Sequence, residues 1–175
     1  MALRPIVIAP DPVLKLVAKP VETVDAGIAQ LMDDMLETMY AANGIGLAAP
    51  QIGVSKRVVV VDVHEPDEPR KPIKLANPEI VWVSDDDKER EEGCLSLPEH
   101  HAVVERPADI KVRYLDETGA EKIREADGLL SVCIQHEIDH LNGILFVDRI
   151  SALKRNMILR KLLKMKKSRK NAAVA

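Results

Sequence analysis

The chain has 175 residues, 46% of them hydrophobic, which is enough for one domain with a real core; with only four aromatics (Tyr40, Trp82, Tyr114 and Phe146) that core must be aliphatic. Two cysteines exclude a disulfide framework and fit a reducing cytoplasm. The formal charge of −3 conceals an asymmetry: residues 151–175 carry nine Lys/Arg and no Asp/Glu, which leaves residues 1–150 at −12 and suggests a basic tail that meets something anionic.

Met1 to Pro10 is broken by Arg4 and Pro5 and lacks a signal-peptide core, and no segment reads as a membrane span. Asp11-Pro12 opens a short helix through Leu14 and Val17, ended by Pro20. Asp25 is placed to cap a second helix, whose apolar face recurs at Ile28, Leu31, Met32, Met35, Leu36, Met39 and Tyr40 and stops at Asn43-Gly44. Gly44 to Gln51 reads as a small-residue loop. It lacks the lysine and the glycine spacing of nucleotide-binding loops, and it permits either close approach to a ligand or tight packing on the core.

Arg57–Val63 is a β-branched strand and residues 64–72 a proline-rich exposed loop. Lys74–Val83 reads as another strand, with Pro78 marking an edge or a bulge. The charge run Asp85–Glu92 reads as a solvated turn, and Ala102–Glu105 as a short strand. Ile110, Val112 and Tyr114 alternate with Lys111 and Arg113, and Asp116–Gly119 turns that strand into Glu121–Arg124. Leu129–Leu141 is a buried helix closed by Asn142-Gly143. Ser151 caps the last helix, with Leu153, Met157, Ile158 and Leu162 as its apolar face and basic residues elsewhere.

The chemistry concentrates in Gln135-His136-Glu137-Ile138-Asp139-His140. Residues four apart share a helical face, so His136 and His140 can grip one metal ion while Glu137 handles the protons of a water beside it. A catalytic metal site needs a third protein ligand. The downstream position used by one zinc-protease class is Phe146, and no glutamate follows, so the ligand lies upstream. Cys133, on the same helix, would lean away from His140, which leaves Cys94. His64, His100 and His101 share no face with the pair and read as surface histidines.

Three segments, Gly44-Ile45-Gly46-Leu47-Ala48-Ala49-Pro50-Gln51, Glu92-Gly93-Cys94-Leu95-Ser96 and Gln135–His140, together resemble the ordered motifs of the peptide deformylases. The resemblance spans nearly the whole chain, and its C-terminal helix is similar to that of Gram-negative bacterial members. It implies removal of the N-formyl group from the formyl-methionine of new polypeptides. It also implies one Fe²⁺ per chain, replaceable by Zn²⁺, Ni²⁺ or Co²⁺, on Cys94, His136 and His140. Glu137 would be the general base and acid. Gln51 and the backbone N–H of Leu95 would stabilise the oxyanion. Ile45, Leu129 and Cys133 would receive the methionine side chain, with plain core packing the alternative for the last two, and Gly46 would bond the substrate backbone. Asn43, Arg90 and His101 depart from close relatives on the substrate side.

The expected fold is α+β, with antiparallel β-strands packed around a central metal-binding helix and a C-terminal basic helix. Residues 1–150 would form the catalytic domain, and 151–175 a basic helix and frayed tail of that domain. The resemblance implies that this helix docks on the ribosome, where its charge suits rRNA phosphate; a solvated basic face is the alternative. A cytoplasmic monomer is expected. A zinc endopeptidase and a metal-stabilised ribosome-binding module are the competing readings, the first disfavoured by the missing downstream ligand and the second by finding three ligands rather than a closed four.

Overall fold

The computed structural model describes residues 2–65 and 67–172. Its organising element is a five-stranded antiparallel sheet in the order β1 (Gly46–Ala48), β2 (Val58–Val61), β3 (Ile73–Val83), β6 (Ile110–Leu115), β7 (Glu121–Ala126). β2 is four valines, all buried, because both sheet faces are covered. Val58 and Val60 meet helix α1 (Ala26–Ala41), while Val59 and Val61 meet helix α2 (Gly128–Leu141). A strand so enclosed reads as a continuous apolar run rather than an alternating one.

Asp25 caps α1 as expected, accepting from the backbone N–H of Ile28 at 2.9 Å. The Met32, Met35 and Met39 face is fully buried against the sheet. Asn43 ends the turn after α1 at φ 55°, a conformation that asparagine tolerates. Pro78 sits within the register shift of β3 against β6 between Ala76 and Glu79, so the proline marks a bulge.

A second sheet holds only β4 (Asp87–Cys94) and β5 (Leu97–Pro107), joined through Leu95-Ser96. It packs on Phe146, Val147 and Leu162 in a separate core. Here the structure corrects the sequence reading. The charge run 85–92 is mostly strand β4, whose outer residues are exposed and whose Glu92 is buried, so pairing with β5 makes it a ladder rather than a turn. Gly44–Gln51 is likewise no loop, but strand β1 followed by a 3-10 turn over Ala49–Ile52. The first helix is only the 3-10 turn Pro12–Lys15, and Val17 is exposed.

Helix α3 (Ala152–Ala172) is capped by Ser151, whose Oγ accepts from the Lys154 N–H at 3.3 Å. Its packed face is Ile158, Leu159, Leu162 and Met165; the expected Leu153 and Met157 are exposed. The frayed tail expected within 151–175 falls partly outside the described residues, which end at Ala172. Among the described residues, no helix is long and apolar enough to cross a membrane.

Candidate active site

α2 runs between the main sheet and the β4–β5 hairpin and buries His136, Glu137, Asp139 and His140. Gln135, at the head of the motif, ties it to β5 by donating to the Pro107 carbonyl at 3.0 Å. At its C-terminus, the Leu141 carbonyl that the helix end leaves open accepts from the Ala18 N–H (2.8 Å) and from Arg57 (3.4 Å), and Arg57 also donates to Asn142 Oδ1 (2.9 Å).

The hairpin carries Cys94 to the histidines. Its Sγ lies 3.2 Å from His140 Nε2, which lies 3.2 Å from His136 Nε2. The three donor atoms fall within 4.8 Å of one another. Glu92 Oε2 is 2.8 Å from His136 Nδ1, so the Nδ1 proton is held there and the Nε2 lone pair faces the other two donors. Burial pushes His140 well below the usual imidazole range and keeps it neutral. Two imidazole nitrogens and a thiol sulfur aimed at one point suit a borderline-soft transition-metal cation.

Burial pushes the Glu92 carboxyl upward, but hydrogen bonds from His136 and Arg106 outweigh it and hold its pKa at about 2. Glu137 has no such partners. Its Oε2 is buried without a hydrogen bond among the described residues, and burial raises its pKa to about 7. Such a carboxyl can both take and give a proton near neutrality.

Gln51 is oriented by its own turn. The Ala48 N–H donates to Oε1 at 2.9 Å, which turns Nε2 toward Ser96 Oγ (3.2 Å) and Cys94 Sγ (3.5 Å). A cleft of about 460 Å³ opens over these groups. Ile45, Gly46, Leu129 and Cys133 line it together with Gln51 and Leu95, so the structure brings the four residues expected to bind the substrate to one place with the two expected oxyanion donors. Cys133 is buried and Leu129 half-exposed at the rim.

Asn43 and His101 also line the cleft, His101 lying over Gly93; Arg90 is exposed outside it, and Glu91 lines the wall instead. His64 pairs with Asp62, and His100 Nδ1 bonds the Pro98 carbonyl, so neither joins the three donors. Sequence reasoning missed the buried supports: Glu92 and Arg106 as an ion pair, Asp139, and Ser96. The only signal for them was that Glu92, Ser96 and Asp139 stand inside the motifs, while Arg106 stands outside them.

The chain matches the family model described as polypeptide deformylase over residues 3–156. The chain belongs to the polypeptide deformylase family. It is 55% identical over 174 residues to a peptide deformylase of Rhizobium meliloti, covering 99% of this chain and 100% of that one. Among solved structures, the Ehrlichia chaffeensis peptide deformylase in complex with actinonin superposes with a TM-score of 0.90 at 44% identity, covering 94% of this chain and 98% of that one. A class I type b peptide deformylase from Acinetobacter baumannii, bound to Met-Ala-Ser, gives 0.80 at 41% identity over 85% of this chain and 99% of that one. Deformylases remove the N-formyl group from new polypeptides in a metal-dependent hydrolysis, and this chain is such an enzyme. The family match ends early in α3.

Proposed function

We propose that Cys94, His136 and His140 hold one Fe²⁺ per chain and that Glu137 moves the protons of formyl-methionine hydrolysis. The observation that carries this is the convergence of the three donor atoms beside a buried, unpartnered Glu137 oxygen at the end of a cleft. The metal, when bound, supplies Lewis acidity, which lowers the pKa of a bound water from 15.7 to about 7. Glu137 accepts a proton from the attacking water and delivers it to the leaving amine nitrogen. Gln51 Nε2 and the Leu95 N–H donate to the formyl oxygen as it gains charge. Leu95 suits this because it directly follows Cys94 in the hairpin turn. Ile45, Leu129 and Cys133 take the methionine side chain, and Gly46 presents backbone to the peptide; the A. baumannii relative is one that binds Met-Ala-Ser.

The Cys94 sulfur makes the donor set softer than a two-histidine, one-carboxylate site and prone to oxidation when it holds Fe²⁺. Formate release from formyl-Met-Ala-Ser, measured anaerobically on Fe²⁺- and Zn²⁺-loaded protein, should be faster with iron. Equal rates would overturn the iron assignment, and no release with either bound ion would overturn the site. Gln51→Leu keeps the side-chain volume and removes the donor, so kcat should fall by about 100- to 1,000-fold. An unchanged kcat would remove Gln51 from the oxyanion role.

A basic α3 added to the catalytic residues 1–150 is the surface we assign to the ribosome. Lys154, Lys161 and Lys164 are exposed, which suits rRNA phosphate. Deleting α3 would also uncover its fully buried Leu162, so charge substitution is the cleaner test. Changing these three lysines to glutamine should weaken ribosome pelleting and lower the salt slope by about one per lost phosphate contact, sparing turnover of short peptides. Unchanged pelleting would rule the surface out. The enzyme would act as a monomer in the cytoplasm. The edge strand β7 carries Glu121, Lys122, Arg124 and Glu125, which discourage edge pairing.

A further inference from the structure

Arg149 closes the 3-10 turn Phe146–Arg149 that precedes α3, and its side chain is 39% exposed. It grips Asp139 with both arms, Nε to Oδ2 and Nη2 to Oδ1, each at 2.6 Å. Asp139 is three residues beyond His136 on α2, and its Oδ2 also accepts from Arg106 Nη1 at 2.9 Å. Arg106, almost fully buried, donates to both oxygens of Glu92, through Nε at 2.5 Å and Nη2 at 3.0 Å. Glu92 in turn holds His136 Nδ1. An unbroken series of charge-assisted hydrogen bonds therefore runs from the threshold of α3 to the first histidine.

The charges explain why the outer end matters. Two buried carboxylates, Glu92 and Asp139, share one buried guanidinium, Arg106. That trio alone carries a net negative charge inside the protein, and a buried carboxylate short of partners is strongly disfavoured. Arg149 supplies the second positive charge and two of the three side-chain donors to Asp139. Without it, Asp139 keeps only Arg106, whose guanidinium is drawn toward Asp139 and away from Glu92. Glu92 then holds the His136 ring less firmly, and the angle of its Nε2 lone pair is no longer set.

We propose that Arg149 is a positioning residue for the metal centre, acting through Asp139, Arg106 and Glu92 on the orientation of His136. The inference rests on the reading that Cys94, His136 and His140 hold the metal. The test uses Co²⁺-loaded full-length protein, following metal transfer to a chelator and the visible spectrum. Arg149→Met should release metal about 10-fold faster and alter the spectrum. Arg149→Lys, which keeps the charge and one hydrogen bond, should recover most of the loss. Glu92→Gln alone should speed release by about 10- to 100-fold. On that background Arg149→Met should add no more than about twofold, because the path is already cut.

Additive effects in the double variant would overturn the proposal. So would a lowered melting temperature of metal-free Arg149→Met protein with parental release and spectrum, which would mark Arg149 as structural only. A parent protein that binds no Co²⁺ would instead be a failure of the ligand reading, and it would remove the basis of this one.

Discussion

Glu137→Ala is expected to slow formate release by about 100- to 10,000-fold while leaving the metal content unchanged. Glu137 is not among the three converging donors, so its loss should not empty the site. Among the described residues it is the one carboxylate on the cleft wall that is buried and has an oxygen without a partner. Its protonation near neutrality comes from burial rather than from a fixed ion pair, so the proton is free to move. Glu137→Gln should be nearly as slow, since the amide fills the space and cannot carry the proton. Formate release and metal content measured on the same samples check both variants. Parental release by the metal-loaded alanine variant would remove Glu137 from the reaction.

Gly46→Ala should lower kcat by about 100-fold without touching a metal ligand. A Cβ at Gly46 would lie 2.4 Å from Glu137 Oε1 and 2.8 Å from Cys133 Sγ. Neither side can yield cheaply. Gly46 is held in register with Val61 on one flank, and α2 is packed behind Glu137 on the other. The carboxyl must swing out of place, and a displacement of about 1 Å is enough for a loss of this size. The overpacking should also cost about 1–3 kcal/mol of stability. Steady-state kinetics with a thermal melt would separate the two effects. A parental kcat would show that Glu137 tolerates the shift, and that the glycine serves the peptide backbone alone.

The sequence by itself determined the parts whose logic is local. Helical spacing put His136 and His140 on one face, and counting the remaining ligands left Cys94, the same three that meet in the structure. Asp25, Asn43 and Ser151 ended or began helices where their side chains predict, because capping is decided within a few residues. The alternation of β6 and its hairpin to β7 were legible for the same reason.

Tertiary structure decided everything that depends on a distant partner. Glu91 and Glu92 are indistinguishable in a charge run, yet one is exposed and the other is buried between Arg106 and His136, groups 14 and 44 residues away. β1 is a strand only because β2 pairs with it, and an apolar loop of the same composition would look identical. On α3, Leu153 and Met157 were as plausible a face as Leu159 and Met165, and the way the helix docks on Phe146 and Val147 chose between them. Burial of a charge is a property of the groups that neutralise it, and those are assembled only when the chain folds.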